Sequence, residues 1–263
     1  MSLPSLSPVV LDLTESSRRS ALCRLGALTG FTVMGGASAL LGGCGSGGGD
    51  TPPAPRLGAH TLASNPLGTA LDPISTLLMN TQASGSTILV CIGRGFFSQH
   101  VPPTDNKGNT PYVQHDIAHR YMLYQGSGTA LYALQSAMGG NGHVVTTVNP
   151  NSDEITLAVV EVINGGVIQD VKWNQPLSAP LTSLSVTTTG PATLVAFWWG
   201  DDGTGNVTAV PDNGFTIIDS MLLSSGAVEC VVATKDVPGA GSYSVTWSAT
   251  PPQGAQLWLV AVQ

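Results

Sequence analysis

The chain has 263 residues, of which 42% are hydrophobic and only 10% charged, with a formal net charge of −7. So acidic a balance excludes an electrostatic footprint for nucleic acid, whose phosphates require a basic face. Sparse charge, with Gly, Ser, Thr, Val and Ala dominant, favours an exported all-β domain over a helical one.

In chain order the first element is an export signal. Arg18 and Arg19 precede a weakly hydrophobic run over about residues 25–41, then small residues and a cysteine. Residues 25–43 hold too little continuous hydrophobicity for a membrane span. Leu41-Gly42-Gly43-Cys44 matches the bacterial lipobox, so the N-terminus resembles that of a bacterial lipoprotein. Ser17-Arg18-Arg19-Ser20-Ala21-Leu22 is also partly similar to a twin-arginine signal, with Ala21 where a bulky residue is usual. The lipoprotein resemblance implies cleavage before Cys44 and lipidation of its thiol. With Gly45 rather than aspartate next, it also implies attachment to the outer membrane. Residues 1–43 are then signal, 44–56 a lipidated Gly/Pro-rich tether, and 57–263 the folded part. Removing two acids and three arginines with the signal leaves the mature chain at −8.

The folded part reads as short strands divided by Gly, Pro, Asn and Asp. Thr87-Ile88-Leu89-Val90-Cys91-Ile92-Gly93 is similar to Thr193-Leu194-Val195-Ala196-Phe197-Trp198-Trp199. Gly140–Thr147 parallels Gly239–Thr246, and Leu157–Val162 parallels Leu257–Val262. The offset stays near one hundred residues, as for two structurally equivalent halves, about 82–165 and 186–263. Several segments are apolar on both faces, as in a packed sandwich, whereas Thr182–Thr189 alternates like a strand with one wet face. The fold class is an antiparallel β-sandwich, jelly-roll or immunoglobulin-like. The order of Gly108-Asn109-Thr110, Val160-Glu161-Val162 and Gly241-Ser242-Tyr243-Ser244-Val245-Thr246 is similar to that of uncharacterised secreted β-sandwich modules of bacteria. That resemblance spans most of residues 82–263 and implies fold and surface location, with no activity to transfer.

Five groups of residues invite a chemical reading. His115-Asp116-Ile117-Ala118-His119 resembles a metalloprotease zinc helix with aspartate for glutamate. In a strand, however, the two histidines lie about 13 Å apart, which favours surface histidines over a metal site. Glu161 stands in an otherwise apolar strand, where its counterpart in the second half is Ala261. It is a structural carboxylate taking backbone N–H bonds or pairing with Arg94 or Arg120, or else a general acid or base. Asp105–Asn109 and Asp201–Asn206 offer calcium-like oxygens but read as turns. Trp198 and Trp199 point to opposite faces, and an exposed one would make a stacking platform for a sugar ring. Cys91 and Cys230 align with Phe197 and approximately with Leu131, which predicts two separate buried thiols rather than a disulfide.

These readings converge on a lipid-anchored envelope β-sandwich that binds or adheres without catalysis and needs no cofactor. Its partners are the membrane, through the lipid, and a glycan or an envelope protein. The alternatives are a structural module contacting a partner protein and a metal-assisted hydrolase built on His115, His119 and Glu161.

Overall fold

The computed structural model describes residues 52–69, 71–150, 153–202, 205, 208–223 and 227–263. Cys44 and the whole export signal lie outside the described residues. Among the described residues, apart from one 3-10 turn at Phe97–Gln99, the regular structure is all strand, and no described helix is long and apolar enough to cross a membrane.

The first eight strands are β1 (Arg56–Asn65), β2 (Ile74–Ser75), β3 (Ser84–Arg94), β4 (Thr104–Asp105), β5 (Val113–Arg120), β6 (Gly128–Met138), β7 (Val145–Thr147) and β8 (Ile155–Ile163). They form a five-stranded sheet, β1-β8-β3-β6-β5, and a small sheet, β2-β7-β4. Every pairing is antiparallel. This is the winding of an eight-stranded jelly roll, with β5 recruited to the larger sheet.

The next strands are β9 (Ile168–Asn174), β10 (Leu181–Thr182), β11 (Val186–Thr188), β12 (Ala192–Asp202) and β13 (Thr208–Pro211). Then come β14 (Thr216–Met221), β15 (Ala227–Val237), β16 (Gly241–Tyr243), β17 (Thr246–Thr250) and β18 (Gln256–Val262). Their large sheet runs β14-β15-β12-β18-β9, and β10-β17-β13 and β11-β16 lie apart from it. Local devices recur between the two sets of strands. Ser75 and Thr146 share a hydroxyl hydrogen bond at 2.8 Å, as Thr182 and Thr246 do at 3.1 Å. The Val145 N–H donates to Thr76 Oγ1, and the Val245 N–H donates to Ser183 Oγ.

Three apolar clusters separate four layers. The two five-stranded sheets face each other through Leu89, Cys91, Leu131 and Val160 on one side and Phe197, Trp199, Val232 and Trp258 on the other. The outer face of the first large sheet carries Ile88, Val90 and Ile92 against Ile74 and Val145. On the second, Leu194, Ala196 and Trp198 meet Leu181, Val245 and Trp247. Both large sheets are therefore covered on both faces, which is why β3, β12 and β18 read as continuous apolar runs.

One predicted strand differs. The segment 182–189 is broken into β10 and β11, because Ser183 leaves the ladder to accept the Val245 N–H while Leu184 turns out to solvent. Alternation survives only in β11, where Val186 and Thr188 are buried and Thr187 is exposed.

Candidate functional site: the loop end of the first large sheet

One row crosses the first large sheet at its end, Asn65–Ile155–Arg94–Gly128–Arg120 in register. Four connections leave this row: residues 66–73, 95–103, 121–127 and 148–154. Loops normally move more than the elements they join, unless their backbone polar groups are tied down. Here buried side chains tie them. Arg94, the last residue of β3, is fully buried and donates from Nη1 to the Gln99 carbonyl and from Nη2 to the Val148 carbonyl. Its Nε lies 3.6 Å from Asp153 Oδ2, and Asp153 Oδ1 accepts the Phe96 N–H at 2.8 Å. Asn149 donates its backbone N–H to Asp72 Oδ1 and its side-chain amide to the Leu71 carbonyl, both at 2.8 Å. The Phe97 N–H donates to the Gly126 carbonyl at 2.6 Å, which closes the set.

Burial lowers the Arg94 pKa, and the neighbouring Asp153 and Tyr132 pull it back up. Burial raises that of Asp153, opposed by the Phe96 N–H and by Arg94. Each charge offsets part of the other's desolvation, and the fork of the guanidinium adds to the one backbone bond described between the same two loops, from the Gly95 N–H to the Glu154 carbonyl. The third loop also docks on the second set of strands. Tyr121 Oη donates to the Gly254 carbonyl at 2.6 Å, and the Gln256 amide donates to the His119 carbonyl at 3.0 Å.

The tips of these loops are apolar and wet. Leu67 and Leu71 stand on the first, Phe96 and Val101 on the second, Met122, Leu123 and Tyr124 on the third, and Val148 on the fourth. Leu67 is 68% exposed and Met122 58%. Single exposed apolar residues are ordinary, and here several stand on four loops at one end of the sheet, which makes that end the candidate site.

His100 belongs to the same platform. Its Nε2 faces the Gly128 carbonyl at 3.2 Å, and its Nδ1 is enclosed without a hydrogen-bond partner. Desolvation first, and the nearby Arg94 charge second, pull its pKa down from 6.5 to about 3. The folded pKa lies below the unfolded one, so stability present above about 6.5 is lost as pH falls toward about 3. His100→Gln is therefore expected to flatten the acid limb of the melting temperature, removing up to about 1.4 kcal/mol per pH unit of slope. Thermal melts of both proteins between pH 7 and 4 check this, and equal slopes would refute it.

The residues singled out from sequence fall elsewhere. Trp198 and Trp199 do point to opposite faces, but both are 0% exposed, because each face of their sheet is covered. Neither ring can stack on a sugar at the surface, which corrects the platform reading. Glu161 is the structural carboxylate. Its Oε2 accepts the Ala59 N–H at 2.9 Å and its Oε1 the Gln82 N–H at 2.7 Å. Neither arginine pairs with it, since Arg94 meets Asp153 and Arg120 lies 4.2 Å over the Phe97 ring.

His119 stacks on Trp173 with centroids 3.6 Å apart and bonds Asp116 Oδ2 at 2.9 Å. His115 instead lines a recess of about 320 Å³ with Pro111, Val113 and Leu134. Among the described residues no three His, Cys, Asp or Glu side chains converge for a metal, and His115, His119 and Glu161 do not assemble a centre. Asp105 is a turn residue, as its spacing predicts. Its carboxylate takes the N–H groups of Lys107 and Asn109, the Asn109 amide and the Tyr112 hydroxyl, and lies 3.1 Å from His143 Nε2.

Cys91 and Cys230 are both free and buried in the cluster between the large sheets. Burial raises the Cys91 pKa well above its usual value and pushes that of Cys230 up to about 12, so neither is a reactive thiolate at neutral pH. Across the strands Cys230 pairs with Trp199 and Cys91 with Leu131.

Sequence reasoning missed the Arg94 hub. An arginine ending an apolar strand is its only local trace, since the carbonyls it joins come from separate loops. No protein-family model matches this chain, and no curated protein or solved structure shows significant similarity to it.

Proposed function

We propose that this chain is a lipid-anchored, non-catalytic binding module of the bacterial cell envelope that contacts a partner protein through its loop end. The observation that carries the reading is the set of exposed apolar tips held on a buried polar brace. Preorganised loops lose less entropy on binding than free ones, so such a brace favours recognition. Chain direction supports the same view. β1 begins at Arg56, paired with Ile163, at the other end of the sheet, where the Asn164 amide also donates to the Ala54 carbonyl. The folded part is thus entered at the end of the sheet opposite the four loops. A glycan-directed role loses its two tryptophans.

A photo-crosslinking residue at Leu123 in living cells is expected to give a discrete protein adduct, while one at Val210, exposed on the small sheet β10-β17-β13, gives none. Equal adducts at both sites, or none at Leu123, would overturn the loop-end reading. Incorporation of a fatty-acid analogue tests the anchor, and equal labelling of the parent and Cys44→Ala would remove it.

A further inference from the structure

We infer that the partner received at the loop end presents a carboxylate to Arg120, set among apolar residues that meet the loop tips. This deepens the loop-end reading and rests on it. Arg120 ends β5, where the third loop begins, and its side chain is exposed. Two contacts fix it there. The guanidinium carbon lies 4.2 Å from the centroid of the Phe97 ring on the second loop, and Nη1 donates to the Gln125 carbonyl on the third at 2.6 Å. The ring beneath it is itself held. Phe97 bonds the Gly126 carbonyl through its N–H and packs edge-on against His100, with centroids 5.4 Å apart. Gly128 leaves room for this stack, since a Cβ there would lie 2.9 Å from Phe97 Cδ2 and 3.0 Å from Arg120 Cα.

A guanidinium stacked on a ring keeps its edge free, and that edge carries the planar fork of N–H donors that matches a carboxylate. Nη1 is engaged, while Nε and Nη2 form no hydrogen bond or ion pair among the described residues. Acids stand at this end too, but Arg120 pairs with none of those described. Asp116 of the same strand bonds His119, Asp153 faces Arg94, and Asp72 takes the Asn149 N–H. The residues beside the stack in the two loops, Phe96 on one and Met122, Leu123 and Tyr124 on the other, are apolar and exposed. Covering them strips water from the guanidinium, and a cation buried without an acceptor is costly. A carboxylate would answer both open donors at once. A preorganised arginine also loses little freedom on pairing, which suits an anchor at the centre of an interface.

The test measures binding of fluorescent peptides to the full-length protein by anisotropy. The probes are an amidated peptide alternating Leu with Asp, an amidated one alternating Leu with Asn, and the Leu/Asn peptide with a free C-terminus. At least one of the two acids is expected to bind ~10-fold more tightly than the amidated Leu/Asn peptide, with the difference shrinking as salt rises. Which acid gains tells a side-chain carboxylate from a chain terminus. Arg120→Gln should abolish the preference, and Arg120→Lys, which keeps the charge and loses the fork, should restore only part of it. Thermal melts establish that both variants are folded. Equal binding of acids and amide, or a preference unchanged in Arg120→Gln, would overturn the inference. The two levels separate cleanly. If the cellular adduct at Leu123 forms equally in Arg120→Gln and the peptides show no acid preference, the loop-end reading stands and the carboxylate falls. If no adduct forms at Leu123, the loop-end reading itself falls.

Discussion

Glu161→Ala is expected to destabilise the fold by about 3–5 kcal/mol, because it strands two inward N–H groups at once. The residue stands in β8 opposite a register shift in β1 between Leu57 and His60, where the edge strand bulges away from its ladder. A bulge leaves backbone groups unpaired. The Glu161 carboxylate fills the gap, taking the Ala59 N–H of β1 on one oxygen and the Gln82 N–H of the segment entering β3 on the other. Gly58 makes the approach possible, since a Cβ there would lie 2.4 Å from Glu161 Oε2. Both oxygens of the side chain are used, so its loss leaves two half-buried N–H groups without their acceptor. Glu161→Gln keeps one acceptor oxygen and is expected to cost roughly half as much. Chemical denaturation of the three proteins measures this. A loss below about 1 kcal/mol for the alanine variant would show that the bulge is satisfied without the acid.

Gly93→Ala is expected to cost about 3 kcal/mol by overpacking the interface between the two large sheets. Gly93 is needed for close approach. A Cβ on it would fall 2.0 Å from Trp199 Nε1 and 2.3 Å from Cδ1, so the indole lies directly on the β3 backbone. Neither neighbour can yield. Gly93 is hydrogen-bonded into the centre of its sheet between Thr129 and Thr156, and Trp199 is fully buried between Gly93 and its own strand. A double-mutant cycle isolates the clash. Trp199→Leu alone opens a cavity, but with Gly93→Ala the two losses should sum to more than the double variant shows. Strict additivity of the two, by denaturation midpoint at constant slope, would mean that Gly93 matters for another reason.

The sequence alignment already contains this pair, although nothing in it reveals the contact. The offset that sets Thr87 against Thr193 sets Gly93 against Trp199. Where the two large sheets meet face to face, two large side chains cannot share one space, and here one residue is a tryptophan and the other has no side chain. The all-β class, the strands β3, β8, β12 and β18, the turn at Asp105 and the buried free thiols were legible because they rest on local composition and on which faces are apolar. The Thr182–Thr189 strand was overread because alternation does not show where the ladder partner ends.

What the sequence by itself determined is therefore the period, polarity and order of the strands, and the placement of a carboxylate that must be satisfied inside the sheet. What only the tertiary structure decided is which surface covers which. Strand alternation sends Trp198 and Trp199 to opposite faces, but only the packed layers show that neither face is left open, and the strand spacing of His115 and His119 already parts them while only the structure supplies the Trp173 stack. The Arg94 hub and its apolar loop tips come from segments far apart in the chain, as does the Gln256 bond to His119 across 137 residues. A side chain's own periodicity reports how it sits relative to its neighbours in the chain, whereas the identity of the surface above it is set by long-range register. Those pairings form only once loop closure has been offset by the burial of the whole core.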